Sequence, residues 1–237
     1  HNIYGMQMAR ATYHGLKKFS YPKRPFVITR AAYSGTQRYT SSWTGDNVAT
    51  WDHLSIANQQ AQRMSMSGYS FVGSDIGGFA EQPTGELFAR WIQLGIFHPF
   101  CRVHSSGDHG EQEPWSYGTS VTDIARKFIE IRYQLLPYLY TAFWRYTDEG
   151  VPILKSLVLF DQNDPHTYYR NDEFIFGEKI LVCPILEAHA KGRRMYFPKG
   201  RWYNFWDNSI EVGGEEKWVD ADLDSMPIFI KEGAIIP

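Results

Sequence analysis

The sequence predicts an α/β fold over most of its length, followed by an all-β unit. Three observations carry this. Short apolar runs alternate with segments of helical period. The apolar runs are continuous rather than alternating, as in parallel strands buried on both faces. After about Asp161 the helical period gives way to brief β-prone pieces separated by turn residues.

The elements follow in order. His1–Phe19 reads as helix, with Tyr4, Met8, Ala11 and Leu16 giving a partial apolar face. Phe26–Thr29 is a strand entered from Pro25. Leu54, Ala57, Ala61 and Met64 recur at helical spacing, with Asp52 placed to cap them. Tyr69–Gly73 is the next strand and Thr84–Phe97 the next helix, capped by Thr84. His98–Val103 is a third strand. A long helix capped by Thr122 buries Ile124, Phe128, Ile131 and Leu135; Pro137 breaks it, and it resumes to stop at Gly150. Ile153–Phe160 reads as strand. Beyond it, Glu178–Leu186, Arg194–Phe197, Trp202–Trp206, Lys217–Val219 and Ile228–Ile230 are β-prone, punctuated by Pro198-Lys199-Gly200 and Gly213-Gly214. Polar residues stand just past the strand ends: Arg30 after the first, Asp75 after the second, His104 after the third. In a (β/α)8 barrel that rim binds substrate, and an open doubly wound sheet places its ligand similarly. The pattern fits either.

Composition narrows the function. Aromatic residues make up 16% of the chain, a surplus that serves cores and also stacks on sugar rings. The net charge of −2, with both signs mixed, gives no track for a nucleic-acid backbone. No apolar run reaches the ~18 residues of a membrane-spanning helix. Cys101 and Cys183 form no CxxC or zinc pattern and are read as buried free thiols.

The connection Ala31–Trp51 is the most informative stretch. A loop of about 20 residues in a compact domain is commonly functional. It carries Tyr33, Tyr39 and Trp43 ahead of Gly45-Asp46-Asn47. Asp46 is either the carboxylate of an Asx-turn or a site carboxylate held at a pocket mouth. Asp75 sits in Gly73-Ser74-Asp75-Ile76-Gly77-Gly78-Phe79, whose glycine spacing fits neither the dinucleotide nor the P-loop fingerprint. Its plain reading is a turn carboxylate bonded to backbone N–H groups. His98, Arg102, His104 and His109 cluster in sequence without a metal-ligand spacing, and the histidines are read as structural and hydrogen-bonded.

Taken together, these segments resemble glycoside hydrolase family 31, the α-glucosidases, α-xylosidases and their relatives. The residues that carry the resemblance run along nearly the whole chain: His1–Arg10, Arg30 with Ser34–Tyr39, Trp43–Asn47, Gly73–Phe79, Pro99–His104 and Gln112–Trp115. The resemblance implies the C-terminal portion of a (β/α)8 TIM barrel over residues 1–175, followed by the start of an all-β sandwich domain over 176–237. It implies retaining hydrolysis of α-glucosides or oligosaccharides, with Asp46 as general acid/base. Arg30, Asp75 and His104 would contact the sugar, and Trp43 and Phe79 would form an apolar wall. No metal or other cofactor is implied.

The family nucleophile lies in a Trp-x-Asp-Met-Asn-Glu type segment, and no such segment occurs here. Trp206-Asp207-Asn208 is superficially similar but sits in the β-prone tail. The expectation is therefore a fragment whose partner is the missing N-terminal part of the same protein. The alternatives are an α-xylosidase or transglycosylase of the same family, or a non-catalytic carbohydrate-binding module.

Overall fold

A computed structural model describes residues 1–237. Its first half is an arc of short parallel strands with helices behind them. Helix α1 (Tyr4–Phe19) precedes β1 (Ile28–Thr29), which pairs in parallel with β2 (Ser41–Trp43). Helix α2 (Trp51–Met66) leads to β3 (Val72–Gly73), parallel to β2, and β4 (Asp75–Ile76) continues the same stretch. Helix α3 (Gly85–Gly95) connects to β5 (Arg102–Val103), which pairs with β4 in parallel. Helices α4 (Thr119–Gln134) and α5 (Leu136–Glu149) close the unit. Alternating strand and helix with every strand pair parallel is the arrangement of a (β/α) barrel arc.

The helices form where their period predicts. Thr84 Oγ1 accepts from Leu87 N–H at 3.2 Å, capping α3. In α4, Ile124, Phe128 and Ile131 are buried, as is Leu135 at its end. Pro137 stands in the first turn of α5, where its missing N–H costs no helical bond, and Gly150 ends that helix in the left-handed region. Two expected caps are corrected. Thr50, not Asp52, caps α2 by accepting from His53 N–H at 3.2 Å. The long helix starts at Thr119, so Thr122 lies within it and donates to the Gly118 carbonyl.

The strands are shorter than expected, and β2 lies inside the segment read as a loop. Ile153–Phe160 also divides, into β6 (Leu154–Ser156) and the short helix α6 (Leu157–Phe160). The remaining strands are β7 (Phe174–Phe176), β8 (Ile180–Val182), β9 (Gly192–Phe197), β10 (Arg201–Asn204), β11 (Ile210–Val212), β12 (Glu215–Asp220) and β13 (Ile228–Lys231). An antiparallel six-stranded sheet runs β11-β10-β13-β8-β7-β6, and β9 pairs with β12 in a separate ribbon. The expected division at 175/176 thus falls inside this sheet. The β unit begins by Leu154, because the inward residues of β6 and β7 complete the same sheet face.

Alternation along the strands explains why the sheet sits where it does. Phe174, Phe176, Ile180, Val182 and Ile228 join the core shared with α2, α3 and α4. Ile175, Leu181 and Phe229 point the other way and pack with Met195, Phe197 and Trp202. Each sheet face therefore has a covering layer, and α3 lies buried between sheet and barrel strands along Leu87–Gly95.

Polar bonds fasten the two units. Arg90 is 2% exposed and donates to the carbonyls of Ser225 (2.7 Å), Ala221 (3.1 Å) and Asp222 (3.2 Å) and to Gln93 Oε1 (3.1 Å). Asn58 and Gln62 of α2 both donate to the Asn171 carbonyl. Tyr138 Oη accepts from the N–H groups of Glu178 and Lys179 and donates to the Phe176 carbonyl. Glu173, fully buried, accepts from Tyr196 N–H. Burial, and then the Asp172 charge, push its carboxyl up to about 7 against the pull of Arg193. Both cysteines are free thiols; Cys183 is buried and Cys101 half-buried. No helix is long and apolar enough to cross a membrane.

Replacing Arg90 by Met strands several buried carbonyls, each costing about 1–3 kcal/mol when left unpaired. Arg90→Met is expected to lower unfolding stability by roughly 3 kcal/mol in denaturant titration. Glu173 predicts a pH effect of definite sign. Its folded value lies above the ordinary ~4.3, so the folded state holds an extra proton between the two. That contribution is full below about pH 4.3 and is lost as pH rises through about 7. Melting temperatures measured between pH 5 and 8 should therefore fall less steeply for Glu173→Gln than for the wild type.

Candidate active site

The strands are so short that the residues following them stand on a common rim. Arg30 follows β1, and Thr44-Gly45-Asp46 follows β2, which ends at Trp43. Asp75 opens β4, and His104 follows β5. Each lies just past the C-terminal end of a parallel strand, Asp75 past that of β3.

Close backbone approach sets their spacing. A Cβ on Gly73 would lie 1.8 Å from the Phe100 carbonyl oxygen, so only glycine fits beside the turn into β5. At Gly78, with φ of +89°, a Cβ would lie 2.6 Å from Ala49 N, which lets the Gly77-Gly78-Phe79 turn press on the Asp46 loop. The Asn47 carbonyl accepts from Phe79 N–H at 2.7 Å and Ala80 N–H at 3.1 Å, and Thr44 Oγ1 donates to Asn47 Oδ1 at 2.7 Å. The Asp46 loop and the Phe79 turn are thus one bonded unit.

Asp46 Oδ1 accepts from Arg30 Nη1 at 2.7 Å, with the two side chains 47% and 58% exposed. That bond reaches across from the neighbouring strand, so the Asx-turn alternative is not what Asp46 forms here. Asp75 is the opposite case: it has no exposure. Its Oδ1 accepts from Arg102 Nη2 at 2.5 Å and Nε at 3.2 Å, while its Oδ2 is buried without a partner. Burial pushes the Asp75 carboxyl above the usual carboxylate range. Arg102 offsets part of this, His104 also pulls downward, and the Asp46 charge pushes upward. Arg102, His104 and Asp46 thus all lie close enough to act on Asp75 electrostatically.

Aromatic rings frame these charges. The Arg102 guanidinium lies 5.3 Å from the Trp43 ring centroid and 5.2 Å from that of Phe100. Phe79 and His104 have centroids 5.4 Å apart at an interplanar angle of 35°. Trp43 Nε1 is a buried donor without a partner. A hollow of about 380 Å³ opens beside His104, lined also by Gln112 and Glu113. The rim thus presents an open carboxylate and two aromatic faces, with an unpartnered carboxylate oxygen and an unpartnered indole N–H buried among them. That set suits a neutral polyhydroxylated ligand.

Arg30, Trp43, Asp46, Asp75, Phe79 and His104 stand on or beside this rim. Arg102 was missed as a site residue. Its signal was available, since strand neighbours 75 and 102 carry opposite charges, but the register that pairs them is not local. Asp75 bonds Arg102 rather than backbone N–H groups. His98 is corrected too. It is buried and both ring nitrogens lack partners; burial and Arg132 pull it down to about 3, so it stays neutral. Asp207 accepts from Ser209 N–H and Oγ in the β10–β11 turn, as a hairpin residue.

Comparison with known proteins gives a consistent picture. Residues 1–142 match the model of the glycosyl hydrolases family 31 TIM-barrel domain, and residues 150–236 match that of the family's C-terminal domain. The chain is 43% identical over 236 residues to alpha-glucosidase 2 of Bacillus thermoamyloliquefaciens, covering all of this chain and 30% of that protein. It is 40% identical over 243 residues to glucosidase 2 subunit alpha of Saccharomyces cerevisiae, covering 26% of it. Among solved structures, a Flavobacterium johnsoniae family 31 dextranase complexed with glucose superposes with a TM-score of 0.95 at 35% identity, over 99% of this chain and 30% of that one. A glucosidase II alpha subunit gives 0.95 at 32% identity, over 98% and 26%. The chain therefore spans under a third of the length of these relatives.

The buried ion pair can be tested without reference to turnover. Arg102→Met leaves the Asp75 charge buried and unpaired, at an expected cost of about 3–5 kcal/mol near neutral pH. Adding Asp75→Asn removes that charge and should recover much of the loss. Denaturation of the two single variants and the double variant reads this coupling directly.

Proposed function

The chain belongs to glycosyl hydrolase family 31, and from that premise we propose that it supplies the acid/base side of a retaining α-glucosidase site that releases terminal α-linked glucose from oligosaccharides. The observation that carries the reading is the pairing of two unlike carboxylates on one rim. Asp46 is half-exposed and held by Arg30, while Asp75 is closed off and has a free oxygen.

The roles follow from those environments. Asp75 Oδ2 accepts a hydrogen bond from a sugar hydroxyl, taking the partner the protein withholds. His104 and Arg30 add polar contacts, and Trp43 and Phe79 pack against the pyranose C–H faces. In the first step a carboxylate attacks the anomeric carbon as the glycosidic bond breaks, and Asp46 gives its proton to the departing oxygen. In the second, Asp46 takes a proton from water, whose oxygen attacks the same carbon and releases the nucleophile. The attacking carboxylate, on this proposal, comes from a strand outside these 237 residues. Arg30 is the natural partner of Asp46 in its ionised form, ready to take the proton from water.

Asp46→Asn in the intact protein should reduce hydrolysis of glucosides with poor leaving groups by about 10²–10⁴-fold. Aryl glucosides with strongly acidic leaving phenols need little protonation and should lose far less in the glycosylation step. Pre-steady-state release of the phenol measures that step, and an equal loss for both substrates would rule out the acid role.

A further inference from the structure

A second cleft, of about 760 Å³, lies away from the rim between the start of α2 and the β9–β12 ribbon. Its volume is in the range of sites that enclose small organic ligands. Trp51 and Asp52 form one side, Arg194, Glu216 and Trp218 the other, and Glu187 stands in the loop between.

Trp218 is fixed as a platform. Its Nε1 donates to Asp220 Oδ1 at 2.7 Å, so the polar edge of the indole is already occupied. Trp218 lies against Gly192 on the paired strand, where a Cβ would come within 2.9 Å of its Cζ2. The glycine thus lets the ring lie over the backbone, yet the residue remains 56% exposed. An exposed, immobilised indole beside a cleft offers a flat apolar surface at little ordering cost.

The charges around it select the ligand class. Four basic and four acidic side chains line the cleft, so it carries no net charge. Arg193 is bonded to Asp172, and Arg170 lies 3.4 Å from Glu216. Asp52, Glu187 and Arg194 form no ion pair and point no single sign at a ligand. A phosphate or carboxylate ligand would meet as much repulsion as attraction, whereas hydroxyl groups can use both donors and acceptors. Trp51 follows Asp46 by only five residues, so the cleft is joined to the rim through one short segment while sharing none of its residues.

We propose that this cleft is a second, non-catalytic carbohydrate site that binds a short neutral glucan with one sugar ring stacked on Trp218. The choice of an α-glucan rests on the function proposed above; the site itself does not. In the intact protein carrying Asp46→Asn, which slows turnover of such a glucan by about 10²–10⁴-fold, calorimetric titration with maltoheptaose should resolve two sites. Adding Trp218→Ala should weaken one of them at least tenfold and leave the other. Arg194→Ala, an exposed substitution that leaves the ribbon intact, should weaken the same site several-fold. With Asp46 restored, Trp218→Ala should leave kcat/KM for a small aryl α-glucoside unchanged and raise KM for long α-glucans several-fold. A single site insensitive to both substitutions overturns the proposal, even if aryl glucosides are hydrolysed. Two sites without any glucoside turnover would instead sink the glycosidase reading and leave this cleft standing.

Discussion

Asp75 and Arg102 face each other across the parallel register of β4 and β5, and the rim depends on that pair. A carboxylate with no solvent exposure must receive compensation from the protein, because desolvation otherwise drives it neutral. Arg102 supplies it with two donors to one oxygen and is itself held between the Trp43 and Phe100 rings. The planar guanidinium does what a lysine could not: it donates edge-on to the carboxylate while its face lies on aromatics. Trp43, β4 and β5 are thereby fixed to one another. The second oxygen of Asp75 is left buried without a hydrogen-bond partner.

Support for that pair comes from below and behind. Trp91 of α3 donates to Ser74 Oγ at 3.0 Å, pinning the residue that separates β3 from β4. Helix α3 in turn is covered by the six-stranded sheet and clamped by Arg90 to the Ala221–Ser225 segment. Arg132 donates to the carbonyls of His98 and Pro99, tying down the chain that enters β5. The β unit is thus the back wall of the layer on which the rim is mounted. A loss of packing there would reach Asp75 through α3, with no contact to the rim itself.

The helices were legible because their apolar residues repeat: Leu54, Ala57 and Ala61 are all fully buried. The strands were not, because two or three residues hold too little period to read. Ser41–Trp43 hides best. Two serines look like loop, yet both are buried, and only parallel pairing with β1 on one side and β3 on the other makes the segment a strand. Leu157–Phe160 shows the converse failure, an apolar β-prone run that turns as helix. The boundary near residue 175 was misplaced because Leu154–Ser156 reads as another barrel strand, and its antiparallel partner Phe174–Phe176 lies 20 residues on. The rim residues were found through motifs, which record local spacing. Arg102 escaped because its part comes from register.

The two carboxylates differ in burial in the sense that the proposed chemistry requires. A group that only binds a sugar hydroxyl gains from exclusion of water, since its hydrogen bond then competes with nothing and acts in a low dielectric. A group that gives a proton to a leaving oxygen and later takes one from water cannot be sealed in the same way. On the proposed mechanism, Asp75 at zero exposure and Asp46 near one-half would divide these duties along one rim. The division follows from position on the chain. Asp75 opens a paired strand and is enclosed by Arg102 and the layer beneath, whereas Asp46 stands three residues beyond the end of β2, on a loop secured through Asn47. Exchanging the two environments would leave the same residues on the rim but set each against the task proposed for it.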